Sequence, residues 1–334
     1  MRKKRKLDGF TKLIIVLGSI FILFILGYLG FLGAKAYFTW DDVYQHRDRE
    51  YDPLAELKEQ TAGIFRKPNS GSGTTISNAS ATKPFTILLA GVDNSTLKAG
   101  RSDTLILAVV DIAKNKVSLA SIPRDTYVEL AGENKKDKIN HSYAYDGIQG
   151  TINTVEQFLD TPVNYYVTVN FKSVEDFVDT IGGLDIDVEK NMNYTDTSAD
   201  LYINLKKGPQ HLNGKQTLHY ARFRKDAEGD YGRMRRQQQV IREMINQSVD
   251  FRNVSKLSKV LGVLGDNVKT DISLENMVTL MNNMSGIKGD NIETIPVSST
   301  TGSINGISYV FIDDEHRENL INEIHSRLGI DEEK

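Results

Sequence analysis

Two aspartates and a scattered set of arginines are the residues whose positions suggest chemistry. Asp93 follows the apolar run Phe85–Ala90, and Asp103 stands just before the apolar run Leu105–Val110, two residues after Arg101. If the two runs pair as neighbouring strands, both carboxylates fall at one edge of a sheet. Carboxylates brought together repel unless a proton or a divalent cation intervenes, and Mg2+ is commonly held by one or two carboxylates plus substrate phosphates. The alternative is a solvated turn that tolerates Arg101 and Asp103 alike. A third apolar run, Lys116–Ile122, ends in Ser121-Ile122-Pro123-Arg124-Asp125-Thr126. Pro123 cannot continue a ladder and fixes its own backbone, so Arg124 is presented from a stiff turn near the other strand ends. An Arg124–Asp125 surface turn is the competing reading.

The segment YARFRKDAEGDYGRMRRQQQ, residues 220–239, carries six Lys and Arg against three acids. In the helix that follows, Val240, Ile241, Met244, Ile245 and Val249 form an apolar stripe, and stepping back by four from Ile241 reaches Gln237 and Arg233. The period therefore predicts that Arg233 and Gln237 face inward. An inward arginine in a first helical turn is either paired to a carboxylate or open to an anion. Asp226, Glu228 and Asp230 supply the first possibility; Arg222, Arg224 and Arg124, converging with Arg233, supply the second. Guanidinium forks match phosphate oxygens. The sequence shows no Walker-type loop or GxGxxG after a strand, and its histidines lack metal-ligand spacing.

These residues need a scaffold, and the chain reads as strands and helices in alternation. Strands are expected at Phe85–Ala90, Thr104–Val110, Lys116–Ile122, Tyr165–Val169, Leu184–Val188 and Tyr309–Ile312. Helices are expected at Ile148–Leu159, Val174–Ile181, Asn213–Arg222, Arg233–Val249, Leu257–Leu264, Leu274–Met284 and Glu315–Leu328. The expected fold class is α/β: a single α-β-α domain with a central mixed sheet.

The N-terminus adds a tether. Residues 1–12 are basic, with six Lys and Arg against one Asp, and Leu13–Leu32 is free of charge. Twenty apolar residues at about 1.5 Å each span roughly 30 Å, one bilayer crossing. Basic flanks remain cytoplasmic. The expectation is a cytoplasmic tail at 1–12, a transmembrane anchor at 13–38, an extracellular linker at 39–83 and a domain at 84–334, in a single-pass type II arrangement. The apolar run is too long for a cleaved signal peptide. Within the linker, residues 67–83 form a Gly/Ser/Thr/Asn tract that reads as a flexible tether. The formal charge of −3 divides into +5 for residues 1–12 and −8 for the rest, which argues against nucleic-acid binding. There is no cysteine, hence no disulfide and no thiol nucleophile.

The ordered motifs AGVD, RSDT, SIPRDT, KIN at Lys138–Asn140, NYYVTVNF, IGGLDIDV, HLNGKQTLHYARFR and DYGRMRRQQQV resemble the LytR-CpsA-Psr family of envelope glycopolymer ligases, with a motif core over residues 85–249. The resemblance implies an α/β domain on one N-terminal helix, with an apolar tunnel for a polyprenyl chain. Leu105, Leu107, Ile241 and Ile245 are the aliphatic residues expected to line it. It implies transfer of a teichoic-acid or capsule-type polymer from a polyprenyl-pyrophosphate carrier to peptidoglycan. By position, Asp93 and Asp103 match metal ligands for Mg2+ (or Mn2+). Arg124, Arg222, Arg224, Arg233 and Gln237 match pyrophosphate contacts, and Arg101 is grouped with them. Asp103, Asp93 and Arg124 are the catalytic candidates; Asp103 or Asp93 would accept a proton that Asp125 or Asp230 orients. Two other functions use the same phosphate grip: a membrane-anchored sensor or transcription attenuator that binds lipid pyrophosphates, and an exported phosphohydrolase with water as acceptor.

Overall fold

In the computed structural model of the chain, the described residues are 43–49, 51–55, 83–93, 97, 100–197, 201–247, 267–284 and 286–330. The expected anchor at 13–38 and the expected helix at Leu257–Leu264 lie outside them. Among the described residues, no helix is long and apolar enough to cross a membrane.

Three strands form an antiparallel meander: β1 (Phe85–Val92), β2 (Ser102–Asp111) and β3 (Lys116–Ile122). A hairpin of β4 (Tyr127–Leu130) and β5 (Lys135–Lys138) leads into α1 (His141–Leu159). The chain then places β6 (Tyr165–Asn170) parallel to β1 and turns into α2 (Phe171–Ile181). Two small pairs follow, β7 (Leu184–Val188) with β10 (Gly208–Leu212), and β8 (Met192–Asp196) with β9 (Leu201–Leu205). Next come α3 (Gly214–Arg222), α4 (Gly229–Gln247), β11 (Val268–Thr270) and α5 (Leu274–Asn283). The chain closes with β12 (Ile292–Ile295), the hairpin β13 (Thr300–Ile304) and β14 (Ile307–Phe311), and α6 (Asp314–Leu328). The central sheet is mixed, in the order β11-β6-β1-β2-β3-β12.

The near-continuous apolar run of β2 is explained by its central position, since a strand covered on both faces has no polar side. Leu105, Leu107 and Val109 pack with Ile152, Val155 and Leu159 of α1 and with Leu320, Ile324 and Leu328 of α6. Ile106, Ala108 and Val110 point the other way, into a cluster with Leu280 of α5 and the half-buried Ile241 and Ile245 of α4. A tunnel lined jointly by Leu105, Leu107, Ile241 and Ile245 is therefore ruled out: alternation along the strand puts the two pairs on opposite faces. A third cluster joins α2, α3 and the small strand pairs to Val240 of α4, so α4 is buried on two sides. Local chemistry sets the start of α3: Asn213 makes a capping box with Gln216, and a Cβ at Gly214 would lie 2.1 Å from the Glu175 carbonyl oxygen of α2.

The two-sided burial of α4 corrects the expected inward face. Its deepest side chain is Arg236, which is 0% exposed, while Gln237 is only half-buried. Arg236 Nε donates to Glu189 (2.8 Å), Nη1 to the Phe223 carbonyl (2.7 Å), and Nη2 to Asp226. Asp226, read from sequence as a partner for the converging arginines, is thus occupied by Arg236 and by Lys190 at 3.1 Å.

Residues 43–49 and 51–55 depart from the linker expectation. Val43 and Leu54 are fully buried, and Tyr44 bridges in parallel to Thr270 of β11. Arg47 donates to the buried carboxylate of Asp271 (2.8 Å) and to the carbonyls of Val163 (2.6 Å) and Asn164 (2.8 Å). Because Leu54 shares a core cluster with Phe85, the chain is docked on both sides of the Gly/Ser/Thr/Asn tract. The residues that flank the tract in sequence, up to Leu54 on one side and from Phe85 on the other, thus belong to one packed body. Charged composition hid this strap, since its arginines are spent on a buried acid.

Arg236→Met should destabilise the fold by about 3 to 5 kcal/mol, because it strands buried acids; urea denaturation measures this. Burial raises the Asp226 and Glu189 pKa values, but for Asp226 the Lys190 and Arg236 contacts outweigh it, and for Glu189 its own backbone amide and Arg236 do. Both therefore lie below their ordinary values of 3.8 and 4.5. The network's contribution is complete above those values and is lost as pH falls through the depressed ones. The stability gap between the protein and Arg236→Met should accordingly narrow in acid denaturation below about pH 4.

Candidate active site

The site sits where β1 and β3 end and β2 begins. The β1–β2 register runs Leu89↔Ile106, Ala90↔Leu105, Gly91↔Thr104 and then shifts to Val92↔Ser102, so Asp103 is the extra residue of a bulge. A bulge bends its strand and re-aims one side chain. Here it directs the Asp103 carboxylate to Arg124, whose Nη1 lies 3.0 Å from Oδ1. Across the pair, Asp93 receives the Arg101 amide on its Oδ1 (3.0 Å), and its own amide donates to the Arg101 carbonyl (3.3 Å). Both aspartates thus stand at one sheet edge, as expected. Arg101 contributes its backbone to Asp93, and its residue is exposed.

Arg124 is held by the segment containing the KIN motif. The Asn140 amide donates to the Arg124 carbonyl (3.2 Å), the Ile139 amide to the Thr126 carbonyl (2.8 Å), and Lys138 Nζ lies 2.9 Å from Asp125. Asp125 is therefore engaged by Lys138, with Arg124 Nε more distant at 3.8 Å. Sequence reading gave Lys138 and Asn140 no individual role, although the short KIN motif was the available signal.

Arg233 enters from the first turns of α4 and is 8% exposed. Its nearest acid is Asp230, at 3.4 Å one turn earlier, and its buried Nε has no hydrogen-bond partner. Burial and then the neighbouring Arg124 guanidinium lower its pKa; Arg224 acts in the same direction, while Asp230 and Asp103 oppose it. For Arg124, burial is outweighed by Asp103, Asp230 and Asp125, and its pKa is raised. Asp103 thus compensates Arg124 and leaves Arg233 short of negative charge. Arg222 lays its guanidinium 4.5 Å from the Phe171 ring centre, and burial lowers its pKa against the pull of Asp103. Arg224 is exposed, and its charge is felt at Arg233. Arg124 and Arg224 thus both act on Arg233, and Arg222 shares with Arg124 and Arg233 the influence of Asp103. Gln237, one turn beyond Arg233, is half-buried.

Below the arginines runs an incompletely covered apolar strip. On one face, Gly91, Leu89 and Ile87 of β1 and Val169 and Val167 of β6 are half-buried, although both strands lie inside the sheet. Ile241 and Ile245 of α4 and Met277 of α5, also half-buried, belong to the same cluster. From Gly91 to Ile87 the strip is about 13 Å tall at ~3.3 Å per residue.

A divalent cation can be judged against this donor set. Among the described residues, no three His, Cys, Asp or Glu side chains gather as a cage. Asp93 and Asp103 alone would leave most of a cation's ligand positions to water and phosphate oxygens, which is how Mg2+ is usually bound beside phosphates.

The chain matches the LytR_cpsA_psr family over residues 44–326. The polyisoprenyl-teichoic acid–peptidoglycan teichoic acid transferase TagU of Bacillus subtilis is 34% identical over 328 residues, 98% of each chain. The crystal structure of B. subtilis TagV has a TM-score of 0.65 at 35% identity, over 75% of this chain and 98% of TagV. TagT bound to LIIa-WTA has a TM-score of 0.62 at 25% identity, over 86% of this chain and 96% of TagT. With its motifs on a sheet edge of this geometry and a match spanning most of its length, the protein belongs to the LytR_cpsA_psr family.

Proposed function

We propose that the protein transfers an anionic glycopolymer of the teichoic-acid type from a polyprenyl-pyrophosphate carrier to peptidoglycan, forming a phosphodiester link. The observation that carries this reading is Arg233: a buried guanidinium with an unpartnered Nε, set beside a second arginine. Such a group costs stability unless an anion arrives, and pyrophosphate between four guanidiniums supplies one. The apolar strip beneath supports a lipid on the same ligand. The names of TagU and of TagT bound to LIIa-WTA support the polymer class.

In the proposed reaction, an acceptor sugar hydroxyl attacks the phosphorus on the sugar side. An oxygen–phosphorus bond forms, the bond to the bridging oxygen breaks, and polyprenyl phosphate leaves with the electron pair. Asp103 or Asp93 takes the hydroxyl proton. Arg124, Arg222, Arg224 and Arg233 orient the diphosphate and stabilise charge on the transferring and leaving phosphates, so positioning and electrostatics dominate. Asp93 and Asp103 are the residues that would hold Mg2+ (or Mn2+), which would neutralise charge on the same oxygens. Asp125 is tied to Lys138, and Asp230 lies beside Arg233; the latter is the better placed to act at the diphosphate. The reading includes the N-terminal anchor, with the tail in the cytoplasm and the catalytic domain outside the membrane.

The full-length protein, incubated with a lipid-pyrophosphate glycan and cell-wall fragments, should yield a phosphodiester-linked product by mass spectrometry. Release of glycan phosphate to water alone would assign a hydrolase instead.

Arg233→Ala should change thermal stability little, within about 1 kcal/mol, because the lost Asp230 contact is offset by relief from burial and from Arg124. Pyrophosphate affinity should fall by about 1.5 to 3 kcal/mol, roughly 10- to 150-fold, in calorimetric titration. A stability loss of about 3 kcal/mol or more with affinity unchanged would make Arg233 a structural residue.

Asp93→Asn and Asp103→Asn should each abolish the extra thermal stabilisation that Mg2+ confers in the presence of pyrophosphate. Retention of that increment in both variants would remove the cation from these residues.

A further inference from the structure

The apolar strip has a floor. On β1 the exposed face runs Gly91, Leu89, Ile87, each half-buried, and then Phe85 at 1% exposure; on β6 it runs Val169, Val167 and then Tyr165 at 0%. β6 is sealed at Tyr165, which is in register with the half-buried Ile87, and β1 two residues further on at Phe85; the two rings meet edge to face at 5.8 Å and close the strip between them. Residues of the strap, Arg49 and Tyr51–Leu54, lie against these rings, and Leu54, fully buried, joins Phe85, Tyr165 and Leu280 in one cluster.

The strap is fastened to both sides of the strip. Arg49 stacks on the Tyr165 ring at 4.2 Å and pairs with the buried Asp271 at 2.9 Å. The Leu54 amide donates to Asp52 (3.1 Å) and to the Tyr165 hydroxyl (3.2 Å), which itself donates to Asp52. On the α5 side, Asn276 Nδ2 donates to Asp52 at 3.4 Å. A segment with this composition, rich in charge, would not close an apolar strip by hydrophobicity. It does so because its arginines pair with Asp271 and Asp52 accepts hydrogen bonds from Tyr165 and Asn276, which leaves Leu54 facing inward.

We infer that this strap is the floor of the lipid channel and that Leu54 limits how much of an isoprenoid tail the channel holds. The inference rests on the lipid-pyrophosphate reading above and adds a specificity determinant to it. Apolar tail that contacts wall adds affinity, at roughly fourfold for each methylene removed from water, whereas tail that runs past the floor adds none. Affinity should therefore rise with chain length and then level off at the length that reaches Leu54.

The test uses the full-length protein in lipid nanodiscs and a series of prenyl monophosphates of increasing length, from farnesyl and geranylgeranyl to longer polyprenyl phosphates. Leu54→Ala opens the floor and should move the levelling point to longer chains, with at least a tenfold gain for the first prenyl phosphate beyond the wild-type limit. Leu54→Phe adds bulk at the same place and should move it to shorter chains, with a loss of at least tenfold at the wild-type limit. Melting curves establish that each variant is folded, and Leu54→Phe decides the matter if Leu54→Ala does not fold. A levelling point that is the same in the wild type and in the folded variants overturns the floor while leaving the channel in place. No dependence on chain length in the wild type overturns the channel, and the floor with it.

Discussion

A cluster of guanidiniums at one sheet edge repels itself, and the fold can keep it only if other interactions hold the arginines in place. Arg236 supplies the central one. It is buried without solvent contact and satisfied by Glu189, Asp226 and the Phe223 carbonyl, so α4, the irregular segment following α3 and the end of β7 are joined beneath the site. With Arg236 satisfied, α4 has a fixed rotation, and Arg233 one turn earlier has to point at Arg124. Of the acids near Arg233, Asp226 is committed to Arg236 and Lys190 and Asp103 to Arg124, so that Asp230 at 3.4 Å faces both Arg233 and the neighbouring guanidinium charge. Positive charge is left over where a diphosphate would lie.

The rest of the upper edge serves the same end by backbone means. A one-residue bulge aims Asp103, and the segment after β5 supports the turn that carries Arg124 through amide-to-carbonyl bonds. These are stiff devices built on strand ends, and they fix side chains more closely than a loop would. The apolar strip is the complement of the charge. Two interior strands leave one face partly uncovered, and α4 contributes both Arg233 above and the isoleucines beside it. A ligand with an anionic head and a lipid tail uses both features of one helix.

Much of the site was legible from residue order alone. Strand ends at Asp93, Asp103 and Arg124 followed from apolar runs closed by polar residues, and the inward position of Arg233 followed from counting back by four along α4. Counting failed at Gln237 because it assumed one buried face. With the sheet on one side and α3 and β7 on the other, Arg236 became the deepest residue of the helix. The same limit applied to the tunnel: Leu105 and Ile241 are both buried aliphatics, but strand alternation sends them to different layers.

The sequence by itself determined the α/β class, the strand and helix positions around the motifs, the concentration of arginines between Arg222 and Arg236, and the family resemblance. These depend on local periodicity and on residue identity, both of which are one-dimensional. Only the tertiary structure decided which arginine is neutralised and which is left open, because that depends on acids more than forty residues away, such as Glu189 for Arg236. It also decided that residues 43–49 and 51–55 belong to the folded body. Arg47, Arg49 and Asp52 look like solvent-exposed linker until Asp271 and Tyr165, more than one hundred residues later, provide a buried partner for each charge. A charged segment is read as exposed by default, and only a distant carboxylate brought to it by folding reverses that energy balance.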